Sequence, residues 1–278
     1  GEFDVNLVAQ YEYTPLGGLD DVNAFGGRAE VWATDELRLG ASVMTENTPS
    51  GTDQEIASVD LRYRLGETSY AELEVARTEG PGFTRSISTD GGLTIASSGG
   101  AASEAAQAVR FTSQIDLEEM GLEYAGNVGL RYESKDAGFS TLNEDITDDQ
   151  VFIGVDGEVE VSDRVALGFD AERFESDSGD EKSETEVNAA YKINETWTIE
   201  GGLQYTDQTT VGSADDTGTR TDLGLRLTYA PTDALAVYVF GQGTLEAEGG
   251  LSDDNRLGAG IDAQITEAVS LAAEASDG

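Results

Sequence analysis

The sequence predicts an all-β fold, an antiparallel up-and-down transmembrane β-barrel of about 14–16 strands. Three observations predict it. Apolar and polar residues alternate through stretches of roughly 9 to 11 residues, the length of a membrane-crossing strand. Tight polar corners recur along the chain, and the connections at the opposite strand ends are longer and richer in Gly.

The pattern is clearest from Val187 to Tyr205. Val187, Ala189, Tyr191 and Ile193 alternate with polar residues up to an Asn194-Glu195-Thr196 corner, and Trp197, Ile199, Gly201, Leu203 and Tyr205 alternate after it. Neighbouring side chains of a strand point to opposite faces, so this is a hairpin with one apolar and one polar face. Glu186, Asn188 and Lys192 share the polar face with Glu200 and Gln204.

The same unit repeats. Corners at Thr34-Asp35-Glu36, Gly66-Glu67-Thr68, Ser162-Asp163-Arg164, Thr232-Asp233-Ala234 and Thr266-Glu267-Ala268 each precede alternating apolar positions, and a blurred version lies at Glu118-Glu119-Met120-Gly121. Taken in order, the predicted strands lie near Phe3–Tyr13, Val22–Ala33, Leu37–Glu46, Glu55–Leu65, Ser69–Thr78, Glu104–Leu117 and Asn127–Ser134. They continue near Gln150–Val161, Val165–Phe174, Glu184–Ile193, Trp197–Thr206, Arg220–Tyr229, Leu235–Thr244, Arg256–Ile265 and Val269–Ser276. The long connections are Glu79–Ser103, Lys135–Asp148, Glu175–Ser183 and Thr206–Thr219.

Composition fits this reading. With 278 residues and no Pro-rich or Ser-rich linker, residues 1–278 are expected to form a single barrel domain. The chain has 34 Gly, 4 Pro, no Cys and no His, which suits many turns and removes disulfides, thiol chemistry and imidazole catalysis. Its 55 acidic and 16 basic residues give a net charge of -39, which opposes binding to nucleic acid phosphates and is also common in proteins of salty surroundings. No apolar run reaches the roughly 18 residues of a membrane helix, so a membrane reading requires a closed barrel that satisfies its own backbone hydrogen bonds.

Aromatic residues mark the strand ends. Trp32, Tyr63, Tyr70, Tyr191, Trp197 and Tyr229 lie near tight corners and are candidates for an aromatic belt, with Tyr11, Tyr13, Tyr132 and Tyr205 at the loop ends. The alternate, polar positions then line a lumen. On this assignment Arg28, Arg38, Arg62, Arg64, Arg110 and Arg131 form a basic arc, and Asp156, Glu158, Glu160, Asp170, Glu172, Glu186 and Glu200 form an acidic one. Facing arcs of opposite charge set a transverse field, and an arc of carboxylates biases passage towards cations. The competing reading is that arginines such as Arg62 and Arg131 pair with Asp60, Glu72, Glu74 or Glu133 on nearby strands.

These features resemble those of Gram-negative bacterial outer-membrane β-barrels and, more loosely, general porins. The stretch Leu225-Arg226-Leu227-Thr228-Tyr229-Ala230 followed by Pro231-Thr232-Asp233-Ala234-Leu235 is similar to barrel segments of large α-proteobacterial envelope proteins. The resemblance implies the cell outer membrane, lipid as a partner, no cofactor, and a passive diffusion pore for small hydrophilic solutes or cations with an acidic lumen. An alternative is a structural barrel that anchors a larger surface protein or joins other envelope proteins; a soluble β-sandwich is a further alternative. Such barrels usually have an even strand count and end on an aromatic. The odd count here, and the ending Glu274-Ala275-Ser276-Asp277-Gly278, lead to the expectation that the chain is a segment of a longer polypeptide or has a further strand.

Loop chemistry is sparse. Glu79–Ser103 has the placement of a constriction loop in general porins but lacks an acidic cluster, so an exposed loop is expected. Asn143-Glu144-Asp145 with Thr147-Asp148-Asp149, and Asp177-Ser178-Gly179-Asp180-Glu181, offer oxygen ligands without EF-hand spacing and are read as solvated acids. No metal site and no enzymatic constellation is expected.

Overall fold

A computed structural model describes residues 5–8, 23–47, 53–82, 85–87, 96–98, 105–141, 144–266 and 269–278. The described strands are β1 Val5–Val8, β2 Ala24–Trp32, β3 Leu37–Asn47, β4 Asp53–Arg64, β5 Tyr70–Glu79, β6 Arg85–Ile87, β7 Ala96–Ser98, β8 Ala106–Asp116 and β9 Ala125–Lys135. They continue as β10 Gln150–Ser162, β11 Val165–Ser176, β12 Glu181–Lys192, β13 Trp197–Thr210, β14 Ser213–Thr232, β15 Leu235–Gly249, β16 Arg256–Thr266 and β17 Val269–Asp277. The fold is all-β and up-and-down. A 15-stranded sheet runs in chain order, with β5 beside β8, while β6 and β7 pair with each other. Contacts cluster into unit 1, Gly1–Gln114 with Arg131–Phe152 and Ser176–Ser178, and unit 2, Ile115–Leu130 with Ile153–Glu175 and Gly179–Gly278.

The corners form because their first polar side chain satisfies the turn's backbone. Asn194 Oδ1 accepts from the N–H groups of Thr196 at 2.9 Å and Trp197 at 3.0 Å. Thr34 Oγ1 does the same for Glu36 and Leu37, and Asp116 Oδ1 accepts from the N–H groups of Glu118 and Glu119. Side chains that mimic a backbone acceptor in this way select a turn over a continued strand.

Directly opposed residues in an antiparallel ladder share a face, so register assigns the faces without ambiguity. In unit 1, Leu39 opposes Leu61, and Leu61 opposes Leu73; one residue along, Arg38 opposes Arg62, and Arg62 opposes Glu72. In unit 2, Val187 opposes Leu203 and Leu203 opposes Leu223, while Glu186 opposes Gln204 and Gln204 opposes Asp222. The apolar face is uncovered: Leu61 is 41% exposed, Val187 50% and Leu225 54%. A soluble β-sandwich would bury that face against a second sheet. Instead, the buried hydrophobics among the described residues are Ala76, Ala106, Phe139 and Ile146, and they lie on the other face.

Two of the expected long loops are strands. The ladder of β13 and β14 continues through Asp207–Thr219 and Gln208–Gly218 to Thr210–Ser213, and that of β11 and β12 through Glu175–Glu181. Thr-rich polar strand ends lack the apolar alternation used to find strands, yet Thr favours the extended backbone and the ladder supplies its hydrogen bonds. The turns close at Gly212 and Gly179, both with positive φ that suits Gly. Lys135–Asp148 remains a connection, and Glu79–Ser103 contains the β6–β7 hairpin, with much of it outside the described residues.

Candidate functional site

The charged face of unit 1 is a woven network. Gly40, facing Asp60 across the ladder, leaves the room a side chain would fill. Into that room comes Arg28, whose Nη2 lies 2.8 Å from Asp60 Oδ2. Arg38 Nη2 reaches Asp60 Oδ1 at 3.3 Å and Glu72 Oε2 at 3.1 Å, and Arg62 Nη1 approaches the same Glu72 oxygen at 3.5 Å. The direct opposition of Arg38 and Arg62 is thereby neutralised by Asp60 and Glu72, which interleave with them. Asp60 is the keystone, with its side chain 2% exposed. Further along the face, Arg110 pairs with Glu74 at 2.5 Å and Arg131 with Glu133 at 2.9 Å.

The arginines of the predicted basic arc are therefore mostly engaged within the wall. Arg64 lies over the Trp32 ring at 3.9 Å and Arg62 over the Tyr70 ring at 3.7 Å. Trp32 opposes Arg38 and Tyr70 opposes Arg64, so both aromatics are on the charged face. This corrects their expected place in the belt: proximity to a corner did not decide the face, and parity along the strand does. Tyr63, Tyr191, Trp197 and Tyr229 are on the apolar face, where Trp197 and Tyr229 oppose each other with ring centroids 4.7 Å apart.

The segment between β9 and β10 folds onto the charged face of unit 1. Phe139 is 4% exposed and Ile146 6%, packed against Ala76 and Ala106 with Ile56 and Ala108 beside them. A small internal ladder shapes the segment, with Ile146 N–H donating to Phe139 O at 2.9 Å and Gly138 N–H to Ile146 O at 2.7 Å. Lys135 Nζ ties down Glu144 at 2.7 Å, and Ser140 N–H donates to Thr78 Oγ1 at 3.4 Å. Beside this segment is a cavity of about 1110 Å³, lined by Arg28, Arg110, Arg131 and Lys135 together with Glu74, Glu133 and Glu144. The segment missed by charge counting was marked by Phe139 and Ile146, two apolar residues in an otherwise polar loop.

Unit 2 has the opposite character. Asp170 opposes Glu186 and Glu172 opposes Glu184, so like charges face each other. Asp156, Glu184 and Glu186 are close enough to act on Asp170 electrostatically. Among the described residues, none of Asp156, Glu158, Glu160, Asp170, Glu172 and Glu186 makes an ion pair; Glu184 pairs with Lys182 and Glu200 with Arg226. Neutral donors relieve part of the repulsion, as Gln204 Nε2 reaches Glu184 at 2.6 Å and Asn188 Nδ2 reaches Glu186 at 3.4 Å. The loop acids are also engaged: Asp145 accepts from Ser140 Oγ and Asp180 from Val211 N–H. Asn143 lies outside the described residues, and no carboxylate group suited to a metal ion occurs among them.

Farther along unit 2, Arg220, Asp222 and Thr244 hold the segment before β16. Asp222, 3% exposed, binds Arg220 Nε at 2.7 Å and Thr244 Oγ1 at 2.6 Å. Thr244 in turn accepts from Asp254 N–H, and Gln242 Nε2 donates to Asp254 Oδ2. Next to this network, Tyr238 and Phe240 lie on the charged face over Gly260 and Gly258, where a Cβ would strike the rings. Aromatic identity alone does not place them. Their parity, off the Val237–Val239 register, and the Gly residues across the ladder are the signal.

No family model and no curated protein sequence matches the chain. Solved structures to which it is similar include the outer membrane channel DcaP of Acinetobacter baumannii, with 13% identity and a TM-score of 0.45 over 99% of this chain and 97% of that one. A mutant of the Rh. blastica porin has 16% identity and a TM-score of 0.45 over 99% and 95%. A loop-deletion mutant of OmpT from Vibrio cholerae has 13% and 0.42 over 93% and 98%. The assignment of faces rests on register and exposure, independently of these likenesses.

Proposed function

We propose that the sheet closes as a single barrel domain in the cell outer membrane, its apolar face against lipid and its charged face around a pore for passive diffusion of small hydrophilic solutes and cations. One observation carries this reading: a single sheet exposes an apolar face while collecting most of its ion pairs, its cavities and its folded-in segment on the other. Water solvates exposed Leu and Val poorly, whereas lipid does not, and closure leaves no unpaired edge in the hydrocarbon. The 136–149 segment narrows the passage, and the uncompensated acids Asp156, Asp170, Glu172 and Glu186 make the lumen attractive to cations. Arg28, Arg38, Arg62, Arg64, Arg110 and Arg131 line it as wall braces, with Glu158, Glu160 and Glu200 completing the acidic side.

The test is conductance of the purified chain in a planar bilayer, with the reversal potential measured across a potassium chloride gradient. Discrete channels with cation preference are expected; channels with anion preference refute the acidic-lumen mechanism. The second reading, a plugged barrel that anchors a larger surface protein or joins other envelope proteins, draws support from the close packing of Phe139 and Ile146 on the wall. It predicts lipid insertion without conductance.

A further inference from the structure

Glu74 of β5 and Arg110 of β8 oppose each other directly in the ladder, and Arg110 Nη2 lies 2.5 Å from Glu74 Oε2. Both line the cavity of about 1110 Å³ in unit 1. Unlike the pairs around Asp60, this one is open: the Arg110 side chain is 51% exposed, and among the described residues Glu74 is its only polar partner. A guanidinium has five N–H donors and a carboxylate two acceptor oxygens. One contact between them leaves most of the guanidinium fork, and Glu74 Oε1, to a solute that enters the cavity. The next row along the same two strands is Ala76 opposite Ala108, with Ser58 on the other side of Ala76. These small side chains form a floor roughly 7 Å from the charged pair, the distance between alternate residues of a strand. Phe139 and Ile56 pack beside that floor and give it an apolar border.

Two opposite charges side by side discriminate between solutes by their charge pattern. For a single ion the two fields largely cancel: an anion drawn to Arg110 meets Glu74, and a cation drawn to Glu74 meets Arg110. A neutral solute is drawn strongly by neither. A zwitterion laid antiparallel to the pair sets its carboxylate on the guanidinium fork and its ammonium on Glu74, so both contacts are attractive and charge-assisted.

We infer that the Glu74–Arg110 pair and its alanine floor form a binding subsite for a zwitterionic α-amino acid with an apolar side chain, which lies over Ala76 and Ala108 towards Phe139. The subsite deepens the pore reading above by naming a class of hydrophilic solute and rests on that reading for its role in passage, but binding is measurable without conduction. The two charged heads of such a solute are neighbours on one carbon, which matches a site whose own two charges are ladder partners, and its side chain reaches the row beyond.

The probe is L-leucine, added to the detergent-solubilised full chain and followed by saturation transfer from protein to probe protons in NMR, against a detergent-only control. The competitors are 4-methylpentanoate, which lacks the ammonium, and 3-methylbutylamine, which lacks the carboxylate, both at matched ionic strength. Saturable leucine binding is expected, with each competitor at least about fivefold weaker than unlabelled leucine in displacing it, the effect of one part-exposed ion contact. Arg110→Gln and Glu74→Gln each weaken leucine about fivefold. Ala108→Leu, which fills the floor and leaves the charged pair in place, abolishes saturable binding. Displacement by either single ion as effective as by leucine overturns the inference, as does leucine binding that survives in Ala108→Leu. The competition uses the parent chain alone, so it decides the matter even where a variant does not fold. A chain that binds leucine in this pattern but forms no channels refutes the pore and leaves the subsite standing; a channel with no such binding does the reverse.

Discussion

Replacing Phe139 by Ala tests whether the 136–149 segment is fastened to the charged face by its apolar contacts. Phe139 is 4% exposed, so almost all of its ring is removed from water. A buried ring covers ~150–200 Å², and at ~25 cal/mol per Å² this contributes about 4 kcal/mol. A compact denatured or undocked segment keeps some of that burial, which lowers the value to about 3 kcal/mol. The neighbours Ala76 and Ala106 have no flexible side chains with which to refill the space. What remains to hold the segment includes Ile146, the Lys135–Glu144 pair, the buried Ser140–Thr78 hydrogen bond and the hydrogen bonds of Asp136 with Gln107. A part-exposed ion pair contributes up to about 1 kcal/mol, and a buried neutral hydrogen bond about 1 kcal/mol net. The equilibrium constant for docking should therefore fall by about two orders of magnitude, since 1.4 kcal/mol corresponds to about tenfold. Hydrogen exchange at the amides of Gly138 and Ile146 reads the docking directly, and single-channel conductance reads its consequence. Faster exchange with larger, noisier conductance is expected in Phe139→Ala, at an unchanged midpoint for unfolding of the strands. Protection at these amides equal to that of the parent chain would refute the reasoning.

Further outcomes follow from the register and the charge pattern. In the single-tryptophan variant Trp32→Phe, the remaining Trp197 should be quenched by brominated acyl chains, whereas in Trp197→Phe the remaining Trp32 should be shielded from them beneath Arg64; equal quenching would overturn the face assignment. Asp60→Asn leaves Arg28 and Arg38 with only Glu30 and Glu72 as acidic partners, and should destabilise the chain by about 2 kcal/mol, below the roughly 3–5 kcal/mol for breaking a fully buried pair because both arginines keep partial access to water; urea unfolding in detergent measures it. Asp170→Asn with Glu186→Gln should lower cation preference in a salt gradient while raising the thermal midpoint, since it removes the like-charge opposition within the ladder. An unchanged reversal potential would place the selectivity elsewhere.

The strand pattern was legible because a two-faced sheet writes its register into the sequence as period two. Thus Val187, Leu203 and Leu223 could be set on one face, and Glu186, Gln204 and Asp222 on the other, from alternation alone. Where polar residues fill both faces, as from Asp207 to Thr219, the period vanishes although the ladder continues. The site was half legible for a different reason. A charge shows its sign in sequence but not its partner, so Arg38 and Asp60, 22 positions apart, read as members of a basic arc and a nearby acid until register brought them together. The aromatics mislead where identity is used in place of parity: Trp32 and Tyr70, expected in the belt, are on the face that carries the charges.

The unequal treatment of charge in the two units has a physical consequence for selectivity. An arginine braced by Asp60 and Glu72, or by Glu74, presents little net field to a passing ion, because its own counter-charge is within a few ångströms. In unit 2, Asp156, Asp170, Glu172 and Glu186 make no ion pair among the described residues, and the Asn188 amide that reaches Glu186 stabilises that carboxylate without cancelling its charge. In the proposed pore, cation preference would therefore depend on Asp156, Asp170, Glu172 and Glu186 rather than on the sum over all ionised residues. Mobile ions screen such groups over about 10 Å at 0.1 M salt and about 3 Å at 1 M, so preference generated by these few carboxylates fades steeply as salt rises. The braced arginines, close to their partners at every salt concentration, keep the wall rigid while that preference disappears.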